Sequence, residues 1–381
     1  MNNGYIYNPF QFGTIVKGED FCNREVELST LKSYIKDGYS VWLYSPRRYG
    51  KSSLIQKTFS EIEDVKTIYF DLYNVKSLDD FCKKYASLLA TNLFSWKQEI
   101  KKLTNKFSKY FQNLHPIVSF DETGMPSFSL KVEEISQQID VETILNIPQQ
   151  ISNETDKPIC IAFDEFQEIE RIEPFLINWM RSAFQQHENV SYIFLGSQQS
   201  LMEMIFTSQS SPLYEFAIKM QLAPINNDEL GEFIDNKFRQ KGLTITQANS
   251  DAILEKSQGH PHFTQYFASV VFDMIRNGAN QNDINFTNLW LEKIIQSQSV
   301  VLQGIFDQLT NIQRTVLSTI AVLIVGQELF SAQSRKKFGL PASSSLVTAI
   351  ESLIKKGIIT KENKQYQISN PVFKAWLRTI N

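Results

Sequence analysis

Short apolar runs punctuate the first 225 residues: 40–44 (SVWLY), 67–73 (TIYFDLY), 159–163 (ICIAF), 190–195 (VSYIFL) and 219–225 (KMQLAPI). Most are continuous rather than alternating, the pattern of strands covered on both faces of a parallel sheet. The stretches between them change period. Residues 52–62 (SSLIQKTFSEI) carry Leu54, Ile55, Phe59 and Ile62 at helical spacing. Residues 173–187 set Leu176, Trp179, Met180 and Ala183 on one stripe behind Pro174, a residue suited to a first helical turn. An α/β fold follows, with a parallel sheet flanked by helices.

Two segments depart from this rhythm. Residues 96–157 read as an insertion, within which Val118 and Phe120, then Phe128, Leu130 and Val132, alternate about a Gly-Met-Pro turn and predict a β-hairpin. From Asn226 the pattern becomes helical throughout: 227–242, 247–261 and 262–278, with Asn227 or Asp228 expected to cap the first helix and Gly242 to end it. The last stretch predicts helices over 309–323, 331–340 and 343–357, two short strands over 357–369, and a closing helix over 370–380, which resembles a winged helix. The expected organisation is a core over 1–225, a helical lid over 226–303 and a winged helix over 304–381.

Candidate chemistry lies at the strand ends. After the run at 41–44 comes Ser45-Pro46-Arg47-Arg48-Tyr49-Gly50-Lys51-Ser52-Ser53, which matches the phosphate-binding pattern G-x-x-x-x-G-K-[ST] except that Ser45 replaces its first glycine. Backbone N–H groups of such a loop and of the helix behind it point at phosphates. Lys51 is placed to reach the terminal phosphates, and the Ser52 hydroxyl to bind Mg²⁺. A glycine at this place permits unusual dihedrals, so Ser45 alters loop geometry without removing a phosphate ligand. The strand at 159–163 ends in Asp164-Glu165, the form of a Walker B motif: Asp164 for the metal, Glu165 to orient or deprotonate water. The strand at 190–195 ends in Gly196-Ser197-Gln198, and Ser197 or Gln198 is a candidate for a polar tip facing the γ-phosphate. Arg181 is either a surface residue or one that reaches a neighbouring subunit.

Composition changes the picture at one end only. The net charge is −3, yet from Leu309 onward ten basic residues (Arg314, Arg335, Lys336, Lys337, Lys355, Lys356, Lys361, Lys364, Lys374, Arg378) face three acidic ones (Glu328, Glu351, Glu362). The C-terminal segment is thus fit for an anionic partner, or is simply a solvated lysine-rich surface. Cys22, Cys82 and Cys160 are far apart and have no metal-ligand spacing, which suits a reducing cytoplasm. The first residues show no secretory pattern, and the longest apolar run, Ile320 to Val325, is too short to span a bilayer, so no membrane partner is expected. His260 and His262 form a lone H-x-H, read as surface or core histidines.

These motifs together resemble the archaeal-type ATPase family, within the STAND and AAA+ grouping of P-loop NTPases, and the resemblance spans nearly the whole chain. Residues 21–28 (FCNREVEL) resemble its F-x-x-R-E-x-E-L segment, PRRYGKSSL its nucleotide loop, AFDEFQEI its D-E-F-Q box and FLGSQQSLM its G-S strand end. The resemblance implies that Arg24 and Glu25 lie against the nucleotide base. It implies also that Gly259 and Pro261, a G-x-P element in the lid, contact the nucleotide. No arginine accompanies that element in a G-x-[AS]-R arrangement, which favours a nucleotide-gated switch over a processive motor. The implied activity is slow Mg²⁺-dependent hydrolysis of ATP to ADP, with Lys51, Glu165, Ser197 and Gln198 as the catalytic set. A separate protein effector and nucleotide-dependent homo-oligomers belong to that reading. A DNA-binding regulator or loader using duplex DNA through the winged helix is the alternative, and a P-loop that holds nucleotide only structurally is a third.

Overall fold

The computed structural model describes residues 6–16, 18–93, 115–120, 126–131, 138–323, 329–362 and 365–380. The chain divides into two compact units, Arg24–Ala223 and Met1–Asn23 with Pro224–Asn381.

The first unit is built on a five-stranded sheet: β1 (Val41–Tyr44), β2 (Lys66–Asp71), β5 (Ile159–Asp164), β6 (Val190–Leu195) and β7 (Ile218–Gln221), in the order β2-β5-β6-β1-β7. Every pairing is parallel, so all five strands end at the same edge. The order puts β6 between the P-loop strand β1 and the strand β5 that ends in Asp164, and the register pairs Asp71 with Asp164 at neighbouring strand ends. Central β5 and β6 are buried at all six positions, which explains their unbroken apolar sequence, whereas edge strands β2 and β7 show exposed residues. Helices α1 (Glu25–Lys36), α2 (Lys51–Glu61), α3 (Leu78–Leu93), α4 (Gln138–Thr155), α5 (Ile169–Ile172), α6 (Leu176–Phe184) and α7 (Gln199–Thr207) complete the unit.

Its core is strongly aromatic. Phe163 stacks on Phe194 at 6.0 Å and 10°, Phe166 lies 4.6 Å from Phe194, and Trp42 stacks on Phe206 at 5.2 Å. Each such ring contributes about 1.5–3 kcal/mol by burial alone. Within the segment 96–157 the strands β3 (His115–Phe120) and β4 (Pro126–Lys131) pair antiparallel, while the turn residues Gly124 and Met125, and Val132, lie outside the described residues. Helix α4 is part of the core, burying Val141, Ile144, Leu145, Ile147 and Ile151. His187 joins α4 to β6: its Nε2–H donates to Asn146 Oδ1 (3.0 Å), which has no proton to give, leaving Nδ1 to accept from the Tyr192 hydroxyl (2.7 Å).

The second unit is helical: α8 (Asn227–Gln240), α9 (Gln247–Ser257), α10 (Pro261–Arg276) and α11 (Phe286–Asp307), then α12 (Asn311–Val322), α13 (Ala332–Phe338), α14 (Ser343–Lys355), the antiparallel strands β8 (Ile359–Glu362) and β9 (Gln365–Ile368), and α15 (Pro371–Ile380). The last six elements have the order of a winged helix. Asn226, one residue earlier than expected, caps α8 by accepting from Asp228 N at 2.9 Å. Gly242 follows the helix end at φ +70°. Helix α11 runs unbroken through residues 303 and 304. A capping box of Thr310 and Gln313 starts α12.

Residues 6–16 and 18–20 are packed on this second unit, which the apolar pattern does not reveal. Phe10 is 5% exposed, with Phe238, Phe272 and Phe233 at 5.6, 6.1 and 6.4 Å. Asn8 Nδ2 donates to Ser269 O (2.9 Å) and Asp273 Oδ1 (2.8 Å), Arg276 donates to Ile6 O (2.7 Å), and Asp20 pairs with the buried Lys237. Among the described residues no helix is long and apolar enough to cross a membrane.

Candidate nucleotide site

The site grows out of the sheet edge where β1, β2, β5 and β6 end. Strand β1 stops at Tyr44, residues 45–50 form a loop, and α2 begins at Lys51 with Gly50 as its N-cap at φ +86°. A Cβ on Gly50 would meet nothing within 4 Å, so the glycine answers a dihedral demand, not a shortage of room. Arg48 also takes the left-handed region (φ +63°), whereas Ser45 is not among the residues at positive φ. A serine therefore stands at the first loop position without backbone strain. Ser45 is 1% exposed, and its hydroxyl donates to Pro46 O at 3.2 Å.

Lys51 is folded onto this loop. Its Nζ donates to Pro46 O (3.0 Å), Ser45 O (3.1 Å) and Ser45 Oγ (3.2 Å). Burial lowers its pKa to about 8, against the opposing pull of the Asp164 and Glu165 charges. Arg47 and Arg48 are exposed on the loop, Tyr49 and Ser53 are each 8% exposed, and Pro46 is partly exposed.

Asp164 is 8% exposed and accepts three hydrogen bonds: from Ser52 Oγ to Oδ2 (2.7 Å), from the Tyr69 hydroxyl to the same oxygen, and from Glu165 N to Oδ1 (2.8 Å). Burial first, then the Asp164 charge, holds the Tyr69 phenol far above its ordinary range, so it donates as a neutral group. Asp71 beside it has a raised pKa, chiefly through burial. Glu165 sits at φ +51°, in the left-handed region that non-glycine residues seldom adopt. Its Oε2 accepts from Ser197 Oγ at 2.7 Å and from Gln167 Nε2, and Gln167 Nε2 also lies 3.5 Å from Ser197 Oγ. Of the two strand-tip candidates, Ser197 is thus brought to Glu165, while Gln198 is exposed at the start of α7. Gly196 makes this possible by its lack of a side chain: a Cβ there would fall 2.4 Å from Met202 Sδ and 2.6 Å from Gln167 Oε1.

The remaining sequence candidates have other surroundings. Arg24 is 5% exposed at φ +83°, and its guanidinium donates to Glu27 (2.7 Å), Ala223 O (3.1 Å) and Tyr49 O (3.3 Å). It therefore braces the P-loop backbone from behind. Glu25 is exposed in the first turn of α1. Arg181 lies 5.1 Å over the Phe216 ring. Gly259 and Pro261 belong to the second unit. Gly259 has φ +69°, its carbonyl accepts from Ile225 N at 3.2 Å, and a Cβ there would approach Ile225 O to 2.9 Å. Pro261 opens α10. Among the described residues no group of three or more His, Cys, Asp or Glu could hold a metal, His260 and His262 included. Tyr69 and Gln167 escaped sequence reasoning as site residues. The available signal for Tyr69 was its position two residues before a strand-ending aspartate, on the strand next to the one that ends in Asp164.

Residues 21–263 match the family of ATPase domains predominantly from Archaea. The chain belongs to that family. In this archaeal-type ATPase, residues 300–379 also match a probable winged helix domain. A Walker-type ATPase of Pyrococcus abyssi is similar in fold over 97% of this chain and 99% of its own, with a TM-score of 0.66 and 21% identity. The ORC2 protein of Aeropyrum pernix, solved as ADPNP–ADP complexes, is similar over 98% of both chains, with a TM-score of 0.53 and 10% identity. No curated protein matches the sequence. The archaeal-type ATPase thus pairs an ATPase-type P-loop domain, on a five-stranded parallel sheet, with a C-terminal winged helix.

Proposed function

We propose that this archaeal-type ATPase binds ATP with Mg²⁺, hydrolyses it slowly, and acts as a nucleotide-gated switch. The observation that carries the reading is the meeting of three strand ends at one place: Ser52 and Asp164 joined at 2.7 Å, with Glu165 beside them held by Ser197. Ser52 and Asp164 are the donor set a hard cation takes, and too few to hold one alone, so a metal that arrives with nucleotide phosphates fits them. Bound there, Mg²⁺ supplies neutralisation of phosphate charge.

The chain's own residues do the rest. The N–H groups of residues 47–52, at the loop and the N-terminus of α2, bind phosphate oxygens. Lys51 exchanges its bonds to Ser45 and Pro46 carbonyls for bonds to phosphate, which gives the loop two arrangements. Glu165 orients the attacking water and takes its proton, after releasing Ser197 and Gln167. The affinity difference between the two arrangements is what lets nucleotide act as a switch, on an effector or in self-association. The test is Glu165→Gln. Turnover falls by about 100-fold or more while ATP binding, followed by fluorescence, is kept. Unchanged turnover would leave a P-loop that only holds nucleotide.

A second reading is supported by the exposed Lys336, Lys337, Lys355 and Lys356 at the ends of α13 and α14: the winged helix binds duplex DNA. Two of the ten basic side chains already donate within the fold, Arg314 to Phe306 O (3.0 Å) and Asp307 O (2.6 Å), and Arg378 to Ala321 O (2.7 Å). Binding with a log–log salt slope of several units supports this reading, and none at low salt ends it.

A further inference from the structure

We propose that Tyr69 is a positioning residue for Asp164, holding its carboxylate in the orientation that receives Mg²⁺ with the nucleotide. The inference rests on the nucleotide site described above and adds a residue from a strand outside both nucleotide motifs.

The argument begins with the register. Strands β2 and β5 run parallel with Tyr69 opposite Ala162 and Asp71 opposite Asp164. Tyr69 and Asp71 share one face of β2, since side chains alternate along a strand. A tyrosine is long enough to pass one residue pair forward, and its hydroxyl arrives at Asp164 Oδ2. That oxygen also receives Ser52 Oγ at 2.7 Å, while Oδ1 receives Glu165 N at 2.8 Å. The carboxylate is thus fixed at both oxygens by three elements of the fold.

The shared oxygen is the informative detail. Were Ser52 Oγ to serve as a metal ligand, the hydroxyl would be re-aimed and its bond to Asp164 Oδ2 would be less firmly fixed. Tyr69 is then the donor that still anchors this oxygen. A hydroxyl needed only for its own satisfaction could have been met by water at a half-exposed position. A bond to the one carboxylate oxygen that faces Ser52 instead selects an orientation. Groups that orient a metal ligand in this way change metal affinity by about 10- to 100-fold when removed.

The experiment uses the full chain and a fluorescent ADP analogue, titrated with MgCl₂ at fixed nucleotide and, separately, in EDTA. Tyr69→Phe removes one oxygen and keeps the ring. The expected result is a Mg²⁺ half-saturation raised about 10- to 100-fold, with affinity in EDTA within about twofold of the parent. An unchanged half-saturation overturns the proposal, as does an equal loss in EDTA, which would mean that Tyr69 acts on the loop and not on the carboxylate. If the parent itself binds the analogue neither with nor without Mg²⁺, the proposed function falls and this inference with it. Should Tyr69→Phe lose its cooperative melt, Tyr69→His, which retains a ring donor, is titrated in its place. A half-saturation between parent and the Asp164→Ala variant supports the proposal, and one equal to Asp164→Ala refutes it.

Discussion

Replacing Gly196 by alanine asks how closely packing and chemistry are joined at the end of β6. The φ of Gly196 lies outside the left-handed region, so alanine meets no dihedral penalty and the whole effect comes from space. The new Cβ falls 2.4 Å from Met202 Sδ, 2.5 Å from Met202 Cγ and 2.6 Å from Gln167 Oε1. Ordinary contact begins near 3.4 Å, so Met202 must retreat by about 1 Å. It has no free room, being 1% exposed within the aromatic core. Overpacking of this kind costs about 1–3 kcal/mol. For a unit of this size that lowers the melting temperature by roughly 2–10 °C. Gln167 is also pushed, and with it the bond from its Nε2 to Glu165. Turnover is therefore expected to fall several-fold, while ATP affinity, set by the P-loop, stays within about twofold. Differential scanning fluorimetry and steady-state phosphate release measure both. The double variant with Met202→Ala supplies a control, since that change alone opens a cavity costing about 2–5 kcal/mol. The pair should be less destabilised than the sum of the singles. A Gly196→Ala protein that melts within about 1 °C of the parent, or a pair that is simply additive, would refute the crowding argument.

Two further outcomes are expected. Phe10→Ala removes a ring packed among Phe233, Phe238 and Phe272 and should destabilise the second unit by about 3–5 kcal/mol, with faster proteolysis of residues 6–20; unchanged melting would show the segment to be ornamental. Burial lowers the His187 pKa from 6.5 to about 4, so stability is full above pH 6.5 and is lost as pH falls towards 4, by about 1–2 kcal/mol after discounting for its part-exposed ring. Urea midpoints of the parent and His187→Gln at pH 7.5 and 5 should converge on acidification, and a constant difference between them counts against the linkage.

Much of the architecture was legible because it is written locally. The buried strands β5 and β6 have no polar residue to spoil their runs beyond Ser191 and the strand-ending Asp164, and the turn from β1 to α2 declares itself by Gly50-Lys51-Ser52. The winged helix was readable from its order of helices and alternation. What stayed hidden depends on pairing across distance. Tyr69 looks like any β-favouring aromatic until β2 is set beside β5. Arg24 reads as a motif residue, yet its guanidinium spends its donors on Tyr49 O and Ala223 O, a bond 199 residues away in sequence. The basic count of the C-terminal segment could not show that Arg314 and Arg378 are occupied by helix-end carbonyls. At Ser45 the sequence showed an exception, and only the backbone dihedral showed that it carries no strain.

The packing of residues 6–20 has a consequence for the order in which the chain is made. Phe10 leaves the ribosome well ahead of the residues that enclose it, and its pocket is completed only by Phe272, about 260 residues later. At about 5–20 residues per second, that is a wait of roughly 10–50 s, during which the whole sheet unit is synthesised and can fold. Phe10 lacks Phe272, and Phe12 lacks Tyr266, until those residues have been made. Phe10 therefore settles long after it is made, and a nascent chain stalled before residue 272 carries an apolar arm open to chaperones or to a neighbouring chain.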